Sequence, residues 1–314
     1  MPKRFLRHLV KIQLGASNNM IDFFINPFID YAFMQRAFIG GFVICFGAIP
    51  VGIFMTLRRM SLTGDAMAHA ILPGAAIAYL ISGLSLLGLA IGGIIAGLIV
   101  AALAGWVSRV SQLKEDTSFA AFYLISLALG VLIISMKEAN VDLFHILFGN
   151  ILALDDDTLW LLAIISSLSI FILAILYRPL IIECVDSSFL KSSGIASEAA
   201  HYGFLFLMVI NLVAGFLALG TLMSIGMMVL PATAARFWAK SLDNLIIISL
   251  IIGISGCYIG LLLSFYFDMP SGPAIIISIG SMCIISMLFG SNGGYVRRFL
   301  PLRHLRSEER FSRN

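Results

Sequence analysis

An aspartate and a histidine four residues apart, Asp65 and His69, stand in the stretch Leu62 to Gly74 at the edge of a long apolar run. An ionisable side chain near the centre of a membrane helix costs about 2.5 to 3.5 kcal/mol on insertion scales, so such residues tend to face a cavity, a partner or a passing ion. Positions i and i+4 of a helix lie about 40° apart around its axis, so both heads reach one ion between them. Imidazole with carboxylate suits borderline divalent metals such as Zn²⁺ or Mn²⁺. The same spacing suits an Asp/His hydrogen bond that steadies a helix end, and spacing alone does not choose. Two ligands make a loose site, which a pathway tolerates because a transported ion must leave again. Pro73 and Gly74 follow at once. Pro removes a backbone donor and Gly permits bending, so a kink or break is predicted there, either opening a cavity beside the ion or simply fitting the packing.

Other polar residues carry weaker signals. His8, His201 and His304 are isolated and read as surface or packing residues, with His145 a candidate entry ligand. The run Asp155-Asp156-Asp157 reads as a solvated helix start favoured by the helix dipole. Cys45, Cys184, Cys257 and Cys283 have neither disulfide nor zinc-finger spacing. No phosphate-binding GxxxxGK[ST], HExxH or GxSxG motif occurs, which argues against nucleotide binding by that loop and against a visible catalytic set.

The elements that must position Asp65 and His69 follow from composition. Of 314 residues, 60% are hydrophobic and 12% charged, against roughly 25% charged in an ordinary soluble domain. The chain is therefore expected to be an all-α, polytopic membrane bundle. Apolar runs of about 20 residues, enough to span a bilayer, lie near 37–57, 65–83, 86–106, 118–136, 158–177, 202–219, 221–238, 245–267 and 274–291, giving eight or nine spans. The net charge of +3 comes from loop residues without a continuous basic stripe, so nucleic acid is not an expected partner.

Basic residues recur in alternate loops: Arg58 and Arg59, Arg109 and Lys114, Arg178 and Lys191, Arg236 and Lys240, then Arg297, Arg298, Arg303 and Arg306. The positive-inside rule assigns these loops to the cytoplasm. Nine full spans would then put Met1 to Gln13 outside, although that stretch carries Lys3, Arg4, Arg7 and Lys11. A start at Met20 would remove the conflict, making residues 1–19 an upstream extension; an interfacial basic helix with one span fewer is the other reading. Residues 141–152 are apolar but too short to span, as in a re-entrant element on the outer side. Between Arg178 and Tyr202, Asp186 is a candidate N-cap and Gly194 a candidate end for a short cytoplasmic helix containing Phe189, a surface suited to a soluble partner.

Several islands together resemble the permease subunits of bacterial zinc and manganese ABC importers. They are Phe33 to Ala37, Leu57 to Leu62 running into Gly64-Asp65-Ala66 and His69 to Gly74, Lys114-Glu115-Asp116, Leu147-Phe148-Gly149, Val229 to Arg236 (with Pro231), and Pro270-Ser271-Gly272. The resemblance implies a homodimeric permease in the bacterial plasma membrane, two cytoplasmic ATPase subunits and an extracytoplasmic metal-binding protein. It implies that Asp65 and His69 are pathway ligands and that Asp186, Phe189 and Gly194 belong to an ATPase-coupling helix. Pro73, Gly74, Pro231, Pro270 and Gly272 are the expected structural or gating positions. No permanently bound cofactor is expected; the cargo is Zn²⁺ or Mn²⁺. Ala68 replaces a serine common in the family, and with the islands Ser118 to Tyr123 and Leu154-Asp155-Asp156 it resembles a zinc-importing branch.

The expected organisation is an N-terminal extension or interfacial segment over 1–32, a transmembrane permease domain over 33–294 and a basic cytoplasmic tail over 295–314. The expected role is a transport subunit rather than an enzyme. The rivals are an ATP-independent secondary metal transporter, a chelate or vitamin ABC permease, and an intramembrane enzyme.

Overall fold

In the computed structural model, which describes residues 20–83, 85–111, 115–136, 151–185, 195–292 and 294–298, the long apolar runs are wound into helix. That state satisfies backbone N–H and C=O groups where no water is available. The helices are α1 (Met20–Asp30), α2 (Ala32–Leu57), α3 (Ser61–Ala70), α4 (Leu72–Ser82), α5 (Leu86–Val110), α6 (Glu115–Met136), α7 (Asp156–Val185), α8 (Ile195–Leu219), α9 (Thr221–Ala235), α10 (Leu242–Phe267) and α11 (Ser271–Phe289). Short 3₁₀ turns occupy Ile151–Ala153 and Tyr295–Arg298, and no strand occurs among the described residues.

Among the described residues, eight spans are long and apolar enough to cross a membrane: α2, α3 with α4, α5, α6, α7, α8, α10 and α11. The expectation of a ninth over 221–238 is corrected. α9 has 15 residues, about 22 Å at 1.5 Å per residue, short of a hydrocarbon core of about 30 Å. It folds back on α8 through Gly220, whose φ of +84° is open to glycine. Gly220 and Thr221 are buried, so the turn is covered by protein, as irregular backbone at membrane depth must be.

Burial sets the order of the bundle. In α8, 78% of the apolar window is inside the protein, and in α2 67%, against 22% in α6. α2 packs against α7, α8, α9 and α10. Its contact with α9 is backbone to backbone: a Cβ on Gly52 would overlap the Met228 carbonyl.

Two ends of the bundle can be told apart. At one, Arg58 meets Glu183 at 2.7 Å, Arg109 meets Glu198 at 3.6 Å, and the Asn292 amide donates to the carbonyls of Trp238 and Ala239. The basic loops predicted to share a side therefore do so wherever they are described. At the other end Tyr31 packs on Phe265, and Arg36 pairs with Asp156 at 3.1 Å, an exposed contact of little energetic weight. There Asp155 caps α7 as expected, accepting hydrogen bonds from the Thr158 hydroxyl and, at 3.0 Å, from its N–H. These bonds hold the Asp155 carboxyl below the usual carboxylate range.

α1 lies on α10, with the Tyr258 hydroxyl donating to the Phe24 carbonyl and Phe28 stacked on Tyr258. Residues 1–19, most of the expected re-entrant element, and the expected cytoplasmic helix with Asp186, Phe189 and Gly194 lie outside the described residues. All four cysteines are free thiols.

Candidate functional site

The helix that carries Asp65 and His69 is short for a reason visible in its sequence. Pro73 has no N–H to give to the His69 carbonyl, and its ring disfavours helical geometry just before it. α3 accordingly ends at Ala70 and α4 begins at Leu72, with Pro73 in its first turn. The break frees carbonyls, and they find partners. The Ile71 N–H turns to the His69 carbonyl, and the buried Ser126 hydroxyl of α6 donates to the Ala70 carbonyl at 3.1 Å. At the opposite end of α3, the buried Thr63 hydroxyl donates to the Asp116 carboxylate of α6 at 2.8 Å. α3 is thus pinned to α6 at both ends.

Within this piece Asp65 is exposed and His69 half-buried. Neither a hydrogen bond nor an ion pair joins them, and the buried His69 Nδ1 has no hydrogen-bond partner among the described residues. The alternative of a helix-stabilising Asp/His bond is therefore not what the structure forms. The Tyr123 ring of α6 lies beside the imidazole, with centroids 6.2 Å apart and planes tilted by 30°. A buried imidazole nitrogen without a partner costs about 1 to 3 kcal/mol, and it is the kind of atom that ligates a metal. No group of three or more His, Cys, Asp or Glu side chains is placed to hold a metal among the described residues. Ala68, by contrast, is 2% exposed and packed in the apolar core. A hydroxyl there would enter the core.

The remaining candidate positions fall elsewhere. Gly74 does not open a cavity: a Cβ there would overlap the Gly92 carbonyl, so α4 and α5 touch through their backbones, while Pro73 faces Gly130 of α6. Pro231 lies inside α9, buried against α10, where Gly253 approaches it. Pro270 caps α11, and Gly272 is buried in that helix's first turn. None of these three joins Asp65 and His69. His8, His145 and His304 lie outside the described residues.

Sequence reasoning missed a second polar centre. Arg58 and Glu183, 8% and 11% exposed, form a 2.7 Å pair. The Arg58 guanidinium also sits 4.7 Å above the Phe204 ring and 3.4 Å from His201 Nδ1. Arginine has no acceptor, so His201 must present a lone pair at Nδ1. The available signal was Glu183 itself, an acid near the end of a 30-residue apolar helix.

Residues 30–290 match the family described as ABC 3 transport family. The chain is 32% identical over 279 residues to the manganese import system permease protein ScaB of Streptococcus gordonii, covering 89% of this chain and 99% of that protein. It is 30% identical over 280 residues to the manganese transport system membrane protein MntC of Halalkalibacterium halodurans, covering 89% and 94%. Among solved structures, PsaBC from Streptococcus pneumoniae in complex with Fab superposes with a TM-score of 0.77 at 32% identity, covering 89% of this chain and 99% of that one.

Proposed function

This chain belongs to the ABC 3 transport family, a multi-pass membrane transport subunit and not an enzyme, and from that premise we propose that it is the permease of an ATP-driven importer of a divalent metal ion, with manganese ahead of zinc. The observation that carries the reading is the Asp65/His69 pair: two ligand-type groups on one short helix, unbonded to each other, with the imidazole Nδ1 buried and without a partner among the described residues. Carboxylate and imidazole bind both Mn²⁺ and Zn²⁺, so the donor set does not rank the two. The lean to zinc drawn from Ala68 is revised on two grounds. That side chain packs into the apolar core, and the relatives named above are manganese permeases.

The assembly we propose contains a second copy of this chain, two cytoplasmic ATP-binding subunits and an extracytoplasmic metal-binding protein, in the bacterial plasma membrane. Asp65 and His69 take the ion in passing. Asp186, Phe189 and Gly194 belong to the contact through which the ATPase acts. Pro73, Pro231, Pro270 and Gly272 shape helices that move between states, and Gly74 holds α4 on α5 while they do.

Proteoliposomes containing the assembled complex and its binding protein test this reading. Manganese uptake should require ATP inside the hydrolysing compartment and should be competed by zinc only at higher concentration. ATP-independent flux would instead make the protein a secondary transporter, and uptake of a metal chelate but not of free metal would replace the cargo.

A further inference from the structure

α7 ends at Val185, one residue before the stretch assigned above to the ATPase contact. Two residues inside that end, Glu183 is paired with Arg58. Arg58 caps the end of α2. Arg59 follows with φ +59°, a left-handed conformation uncommon for a residue with a side chain, and the chain enters α3 at Ser61. Arg58 is therefore fixed to the elbow from which α3 starts. Its guanidinium also touches α8, through Phe204 and His201. One side chain gathers the end of α7, the central helix α8 and the α2–α3 elbow.

Stability does not require this arrangement. Desolvating two charges offsets most of their attraction, and apolar side chains of similar volume commonly serve a fold as well. What an ion pair adds is direction and distance dependence: when the end of α7 moves, Arg58 either follows or loses its partner. α3 is suited to receive such a motion. It is ten residues long, bounded by the Arg59 elbow before it and by the break at Ile71 after it, and it carries both Asp65 and His69.

We infer that the Arg58–Glu183 pair is the transmission link that passes displacement of the end of α7 to α3, and so opens and closes the Asp65/His69 site in step with ATP hydrolysis. The inference rests on the reading of the protein as an ATP-driven importer. Arg58 and Glu183 are positioning residues in this account, since neither meets the ion. A two-state contact of this kind gives coupling a physical carrier.

The experiment is a double-mutant cycle on the complete importer in proteoliposomes, reading metal imported per ATP hydrolysed alongside equilibrium manganese binding. Glu183→Gln and Arg58→Gln should each lower the import-to-hydrolysis ratio by about 5- to 10-fold, the lower part of the range typical of coupling between sites. Manganese affinity should stay within about twofold, and the double variant should be no worse than the worse single, as expected for two residues acting as a pair. If Arg58→Gln does not assemble, Arg58→Lys, which keeps the charge, is read in its place and should lower the ratio less. A parental ratio in the variants, effects that multiply in the double variant, or a fall in metal affinity equal to the fall in the ratio would each overturn the inference. Absence of ATP-dependent uptake in the unmutated complex would instead overturn the functional reading on which it rests.

Discussion

The two polar centres of this bundle differ in one respect that separates their roles. Arg58, Glu183 and His201 are nearly enclosed and bind one another across three helices. Asp65 and His69 lie on a single helix and do not bond to each other; a buried nitrogen without a hydrogen-bond partner among the described residues occurs in both centres, His69 Nδ1 here and Arg58 Nη1 there. The first centre ties three helices together through one guanidinium, whereas the second holds two ligand-type side chains on one short helix without joining them, the arrangement on which the proposed metal pathway rests.

The sharpest way to break the comparison is to remove the open centre. Asp65→Ala and His69→Ala should each lower manganese uptake by more than the roughly 10- to 100-fold that loss of an outer-shell partner costs a metal site, with the complex still assembling. Failure to assemble would make the pair structural after all. A second test concerns the frame around α3. Gly74→Ala forces a Cβ into the Gly92 carbonyl and should destabilise the detergent-purified protein by about 1 to 3 kcal/mol, as overpacking does. Gly280→Ala, where nothing lies within 4 Å, should change thermal stability by less than about 0.5 kcal/mol. Equal effects at the two glycines would refute the α4–α5 contact.

A smaller effect than that of Gly74→Ala belongs to the rim remote from both centres. Asp155→Ala removes the α7 cap and should cost about 0.5 to 1 kcal/mol. Because the folded-state carboxyl is held low by the Thr158 hydrogen bonds, its contribution is fully present above the unfolded value of about 3.9. It is lost as pH falls below that value and through the lower folded one. The difference in melting temperature between parent and variant should therefore vanish toward the acid end of a pH series. A difference that persists unchanged in acid would place the stabilisation elsewhere.

Much of this was legible in the sequence. Period, length and the shortage of charge announce an all-α bundle, and i, i+4 spacing puts Asp65 and His69 on one face. Pro73 announces the break, which falls two residues earlier, at Ile71, because proline acts on the turn that precedes it. The ninth span was misread because apolar residues continue through Phe237 and Trp238 after α9 has ended at Ala235. Hydropathy records composition but not where a helix stops. At Gly74 the sequence left a cavity-opening kink and a packing kink both open, because its contact, Gly92, lies 18 residues away on the next helix. The Arg58–Glu183 pair joins positions 125 residues apart, and only the fold brings them together. Ala68 suggested a preference between metals, yet its side chain turned out to face the core, a direction that one residue's identity does not give.

The central claim is that His69 offers an open ligand to a passing ion. Electron spin-echo spectroscopy of Mn²⁺ bound to the purified complex tests it at the atom concerned. The account predicts a ¹⁴N coupling from a directly bound imidazole that disappears in His69→Ala, whereas a manganese spectrum without nitrogen, or one that the substitution leaves unchanged, would contradict it.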